Sequence, residues 1–224
     1  MGQVDLLRRV FRGVSLIPLT QAAEPADFQH KVRRPGAAYL RRTPRPKGVE
    51  WNGKDYWRKA LGDLFVAYKG ICAYCASWTR RGDSSVDHFE PKSVQPGLAY
   101  EWKNFRLSRR RLNGLKGSYR DVLDPFSLAD GWFKLDFRTF LLVPNPQLSA
   151  TDRSRVTKTI ERLQLNDDDY YVNERLGAVR EYCLGKAAMT QLATSYPFIA
   201  AEMVVQDYDA KFLPRHREVF ASQS

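Results

Sequence analysis

Residues 72–75 read Cys-Ala-Tyr-Cys, residues 86–93 read Val-Asp-His-Phe-Glu-Pro-Lys-Ser, and residues 104–117 read Asn-Phe-Arg-Leu-Ser-Arg-Arg-Arg-Leu-Asn-Gly-Leu-Lys-Gly. Metal-ligand side chains, a candidate general base and a dense set of cations share this one segment, which is the chemistry a phosphodiester substrate requires. Ser84 to Phe89 reads as a short strand, so the adjacent Asp87 and His88 project to opposite faces and cannot do the same job. Gly114, Lys116 and Gly117 close the segment as a helix terminus would. The spacing predicts strand, loop, strand, helix.

That order resembles the HNH endonuclease family, whose small ββα-metal fold carries a His on the first strand, an Asn beyond it and a metal ligand on the helix. It is most similar to bacterial HNH proteins of the Septu and retron defence type, which carry a CxxC, an (E/D)HFxPKS block, an Asn and a CNxxKG-like end. Here these read Cys72 to Cys75, Asp87 to Ser93, Asn104, and Asn113 to Gly117. A softer resemblance runs through Leu123-Asp124-Pro125 and Thr159 to Asn166.

In such a site His88, with an ordinary pKa near 6.5, accepts a proton from the attacking water. Asp87 and Asn113 offer a carboxylate and an amide oxygen to Mg²⁺ or Mn²⁺, hard cations that take oxygen ligands. The resemblance implies that Asn104 supports the catalytic His and ties the loop between the strands. Of Arg109, Arg110 and Arg111, one or two can face phosphates, because consecutive helical residues point in different directions. The motif adds Lys92 and Lys116 as nucleic-acid contacts, either of which could instead neutralise Asp87. Individually each residue has a plain structural use, as a satisfied core His or as turn and helix-end asparagines. Their weight comes from order and spacing.

The sequence departs from these relatives where many carry a second Cys pair closing a four-thiolate zinc cage. Those positions are Arg109 and Leu112. Cys72 and Cys75 are half a cage, so structural zinc is not expected, and the two thiols are read as buried groups packed against Leu112.

The 224 residues are 43% hydrophobic, enough for one globular unit across 1–224. No apolar run is long enough to span a bilayer, and three cysteines make no disulfide framework, so a cytoplasmic protein without a membrane partner is expected. The net charge of +11 points to a polyanion, and its distribution is informative: ten Lys/Arg against four Asp/Glu lie between Arg80 and Arg120. Nucleic acid is the expected partner, DNA ahead of RNA, and the resemblance adds an ATPase subunit.

Outward from the module at 71–117, Leu6 to Phe11 could form a short amphipathic helix. Residues 1–50 read as a basic, proline-containing arm, irregular over 24–50, with seven Lys/Arg and no acid between Lys31 and Lys47. Lys54 to Lys69 reads as an amphipathic helix and Trp132 to Val143 as a hairpin. The 151–212 segment reads as C-terminal helices, the last beginning at Pro197 and running to about Phe212. The fold class is α+β: mainly helical, with an embedded ββα module and an additional hairpin. The expected activity is metal-dependent endonuclease action in anti-phage defence. The competing readings are an inactive nucleic-acid-binding module of the same fold and a partner-docking subunit.

Overall fold

The computed structural model describes residues 20–129 and 131–222. The short helix expected over Leu6 to Phe11 lies outside them. Where one globular unit was expected from chain length, the described residues fall into two compact units, one of 20–74 and 78–126, the other of 75–77 and 127–222. The fold is α+β and mainly helical, with two small antiparallel two-stranded sheets.

The first unit begins with a π-helical turn, Gln29–Arg33, that runs into helix α1, Arg34–Arg42. This corrects the expectation of an irregular arm over 24–50. Pro35 sits in the first turn of α1, where its missing N–H costs nothing. Gly36 supplies the other requirement, since a Cβ there would lie 2.1 Å from the Tyr100 ring. With Val32 buried and Tyr39 and Leu40 packed on the core, the prolines punctuate the helix without preventing it.

A 3₁₀ turn, Tyr56–Ala60, leads into α2, Leu61–Ala67, so the helix expected over 54–69 is regular only in its second half. Leu64 and Tyr68 are buried against Phe28, Trp102 and Phe105, whose rings meet edge to face. Strand β1 (Ser84–His88) pairs antiparallel with β2 (Phe105–Arg109), and α3 (Arg110–Lys116) follows at once. Gly117 ends α3 at φ +50°, a conformation that favours glycine. The predicted strand, loop, strand, helix order is therefore the observed one.

The second unit carries the hairpin, β3 (Phe133–Asp136) with β4 (Leu141–Pro144). Helix α4 (Ala150–Arg162) starts on Ser149, whose hydroxyl accepts from the Asp152 amide. A π-helical turn precedes α5 (Asn173–Cys183). Asn166 extends β4 by exchanging two hydrogen bonds with the Leu142 main chain, at 2.8 and 2.9 Å. Arg175 satisfies the carbonyls of Phe140 and Leu165 in the same corner.

The last segment is α6 (Met189–Ser195), α7 (Pro197–Val205), α8 (Tyr208–Lys211) and α9 (Leu213–Ala221). The single helix expected from Pro197 to Phe212 is broken at Asp207, which is left-handed at φ +56°. Pro214 restarts the helix at its first turn. Among the described residues no helix is long and apolar enough to cross a membrane.

Candidate active site

The β1–β2 ladder aligns Asp87 with Arg106 and His88 with Phe105, and strand alternation sends the two site residues into different surroundings. Asp87 is 1% exposed. Its Oδ1 lies 3.2 Å from the Lys116 ammonium on α3, and its Oδ2 accepts from the Tyr74 hydroxyl at 2.5 Å. Burial raises the Asp87 carboxyl above its ordinary range, opposed by Lys116, Tyr74 and Arg106. Tyr74 lies inside the CAYC motif, and a phenol between two cysteines carries no sequence signal for this bond.

His88 is half-buried between the rings of Trp57 and Phe105, at 4.9 and 5.3 Å, both edge to face. Its Nε2 lies 2.9 Å from the Ala99 carbonyl oxygen. A carbonyl can only accept, so Nε2 carries the hydrogen and Nδ1 the lone pair of the neutral ring. Burial, with Lys92 and Lys116 nearby, pushes the His88 pKa down to about 4, against the Ala99 hydrogen bond that raises it. The imidazole is therefore unprotonated at neutral pH.

Asn104 lies just before β2 and is buried. Its Oδ1 accepts from the Glu90 amide at 2.8 Å and its Nδ2 donates to the carbonyls of Glu90 and Leu98. It reaches His88 only through the chain, because Leu98 precedes the residue whose carbonyl holds Nε2. Asn113, on the middle of α3, donates from Nδ2 to Ser85 Oγ at 3.0 Å and to the Val86 carbonyl at 3.2 Å. Those acceptors fix the amide orientation and set its oxygen apart as the acceptor end. Asp87, His88, Lys92 and Asn113 line a common cleft of about 300 Å³.

The cations divide by position. Lys116, expected along nucleic acid, is fully buried; its ammonium also donates to the His88 carbonyl at 2.8 Å. It is an internal counter-ion and not a surface contact, because α3 packs on β1 directly over Asp87. Lys92 lies over the Trp51 and Trp57 rings at 5.4 and 5.5 Å. Arg109 donates from its guanidinium to the Trp78 carbonyl at 2.8 Å, and Arg111 is half-buried. Arg110 is exposed and lines a second cleft, about 480 Å³, with Trp57, Arg58 and Asn113.

One carboxylate and one amide oxygen fit a hard cation that draws its other ligands from water and phosphate, as Mg²⁺ does. Each Asp87 oxygen retains a second lone pair beyond its bond to Tyr74 or Lys116. Among the described residues no three His, Cys, Asp or Glu side chains gather as a metal cage. Cys72 is buried and its Sγ accepts from the Arg109 amide at 3.3 Å; Leu112 is also fully buried; Cys75 belongs with residues 75–77 of the other unit. Among the described residues the three cysteines form no disulfide.

No family model matches the chain. A 77-residue stretch is 34% identical to Septu protein PtuB of Bacillus thuringiensis, covering 33% of this chain and 28% of that protein. The chain thus has a distant and partial similarity to PtuB, confined to under a third of that protein's length.

Proposed function

We propose that this protein is a metal-dependent HNH-type endonuclease that hydrolyses phosphodiester bonds, DNA before RNA, in bacterial anti-phage defence beside an ATPase subunit. The observation that carries the reading is His88: a neutral imidazole, held through Nε2, in the cleft that also receives Asp87, Asn113 and Lys92. The partial likeness to PtuB supports the defence context.

His88 would accept the proton of the attacking water at Nδ1, while the Ala99 carbonyl steadies the imidazolium through Nε2. A pKa of about 4 makes a weak base, and an anionic phosphate brought beside it would raise that value toward neutrality. Asp87 and Asn113 would hold Mg²⁺, which when bound relieves charge on the phosphate oxygens and the leaving alkoxide. Lys92 would bring its ammonium to the same phosphate. Asn104 holds the Glu90–Leu98 loop, and with it the carbonyl that orients the base.

A second reading is a nucleic-acid-binding module without turnover, favoured by Lys116, which already places a positive charge against Asp87. Incubation with plasmid, single-stranded DNA and tRNA, in Mg²⁺, Mn²⁺ or EDTA, separates the two. Cleavage that needs the metal supports the nuclease; salt-sensitive binding with intact substrates under all three conditions supports the binding module.

A further inference from the structure

Beside the His88 cleft lies a larger one, about 680 Å³, and Lys92 and Ser93 line both. It is lined by Trp51, a core residue only 8% exposed, and by the half-buried Trp57, with Lys47 and Arg58 exposed at the surface and Asn52 beside them. The indole centroids are 5.8 Å apart at 68°, so the rings form a corner. Lys92 lies over both rings. Asp55, the one acid lining this cleft among the described residues, is bonded to Arg58 at 2.7 Å. Trp57 is shared again with the cleft that carries Arg110, so an aromatic wall stands between two cationic clefts and touches the His88 ring.

We propose that the Trp51–Trp57 cleft is a subsite for an unpaired nucleobase next to the phosphate presented to His88, so that the protein prefers single-stranded or locally opened nucleic acid. The proposal rests on the nuclease reading for the scissile phosphate, but base binding itself does not depend on turnover. The partly exposed Trp57 indole accepts any base by stacking, and the cations beside it meet the flanking phosphates. The volume lies within the range of small-ligand sites and suits a nucleotide. A paired base in a duplex keeps both faces stacked on its neighbours and could not enter the corner without leaving the helix.

The test uses the full-length protein in EDTA, where binding is read apart from cleavage. Fluorescence anisotropy compares three probes of equal length: a single-stranded oligonucleotide, its duplex, and a sugar–phosphate strand lacking bases. The base-bearing strand should bind roughly five- to a hundredfold more tightly than the abasic strand, with quenching of tryptophan emission by the former alone. Trp57→Leu should erase that difference while leaving the salt dependence of the abasic strand unchanged, and Trp57→Phe should restore part of it. Equal affinity of the wild-type protein for the base-bearing and abasic strands would overturn the proposal, whatever the variants do. Tighter binding of the duplex than of the single strand would overturn it too. Base preference without any cleavage would leave the subsite standing and remove the nuclease reading instead.

Discussion

The ammonium of Lys116 lies 3.2 Å from Asp87 Oδ1, and the two side chains are 0% and 2% exposed. A buried pair of this kind is worth little against an apolar replacement, but breaking it from one side leaves an uncompensated charge. Lys116→Met should therefore destabilise the protein by about 3–5 kcal/mol, measured by urea unfolding. Adding Asp87→Asn to that variant should recover much of the loss. A change of less than about 1 kcal/mol would mean that Asp87 is already protonated or reaches water.

The general-base role makes a kinetic claim. His88→Ala should lower cleavage by about 10²- to 10⁴-fold, with nucleic-acid affinity retained in EDTA. Asn104→Ala, acting through the loop and the Ala99 carbonyl, should lower turnover less and also loosen the fold. Unchanged turnover in His88→Ala would remove the assignment.

What could be read from the residues alone follows from how local each signal is. The order of Asp87, His88, Asn104 and Asn113, together with strand alternation, was sufficient to lay out β1, β2 and α3, because each step depends on near neighbours. The destination of Lys116 was not legible: a lysine three residues beyond Asn113 reads equally as surface cation or counter-ion until α3 is packed on β1. Pro35 argued against a helix, but it falls in the first turn, and the packing of Val32, Tyr39 and Leu40 on the core holds the chain helical there. The bend at Asp207 depends on a left-handed residue that periodicity does not mark. Trp57 falls within the amphipathic helix read over Lys54 to Lys69, a periodicity that does not mark the contact of its ring with His88.

His88 also sets a pH dependence of stability. Its native pKa of about 4 lies below the ordinary 6.5, so between these values the unfolded chain binds a proton that the native state refuses. Stability should rise with pH across that window: the contribution is present above about pH 6.5 and is lost as pH falls through about 4. His216, whose pKa is also lowered, adds a slope of the same sign. Raised Asp87 acts in the opposite sense at the acid end. Comparing the wild-type protein with His88→Asn removes what the two share. Parallel stability curves from pH 4 to 7 would show that His88 titrates normally.

Among the arginines of the module, exposure separates the roles. Arg110 is open to solvent in the cleft with Asn113, whereas the Arg109 guanidinium is engaged by the Trp78 carbonyl. Arg110→Gln should reduce the slope of log affinity against log salt by about one unit, and Arg109→Gln should change that slope less. Equal effects would mean that Arg109 leaves Trp78 to meet a phosphate.

The thiol pair gives the last prediction. A four-thiolate zinc cage of the kind implied by the sequence resemblance contributes on the order of 10 kcal/mol to folding. In this chain the other two positions are Arg109 and Leu112. Leu112 is fully buried, which contributes roughly 1.5–3 kcal/mol. Cys72 Sγ takes its hydrogen bond from the Arg109 amide, so β2 is tied to residue 72 through a main-chain donor that needs no second cysteine. The aromatic core of Phe28, Trp102 and Phe105 packs behind β2 as well. The purified protein should accordingly carry well under one zinc per chain by elemental analysis, and a strong chelator should leave its Tm unchanged. One zinc held tightly per chain, with Tm falling on chelation, would overturn this and send the search for further ligands to His30, Cys183, His216 or a nearby acid.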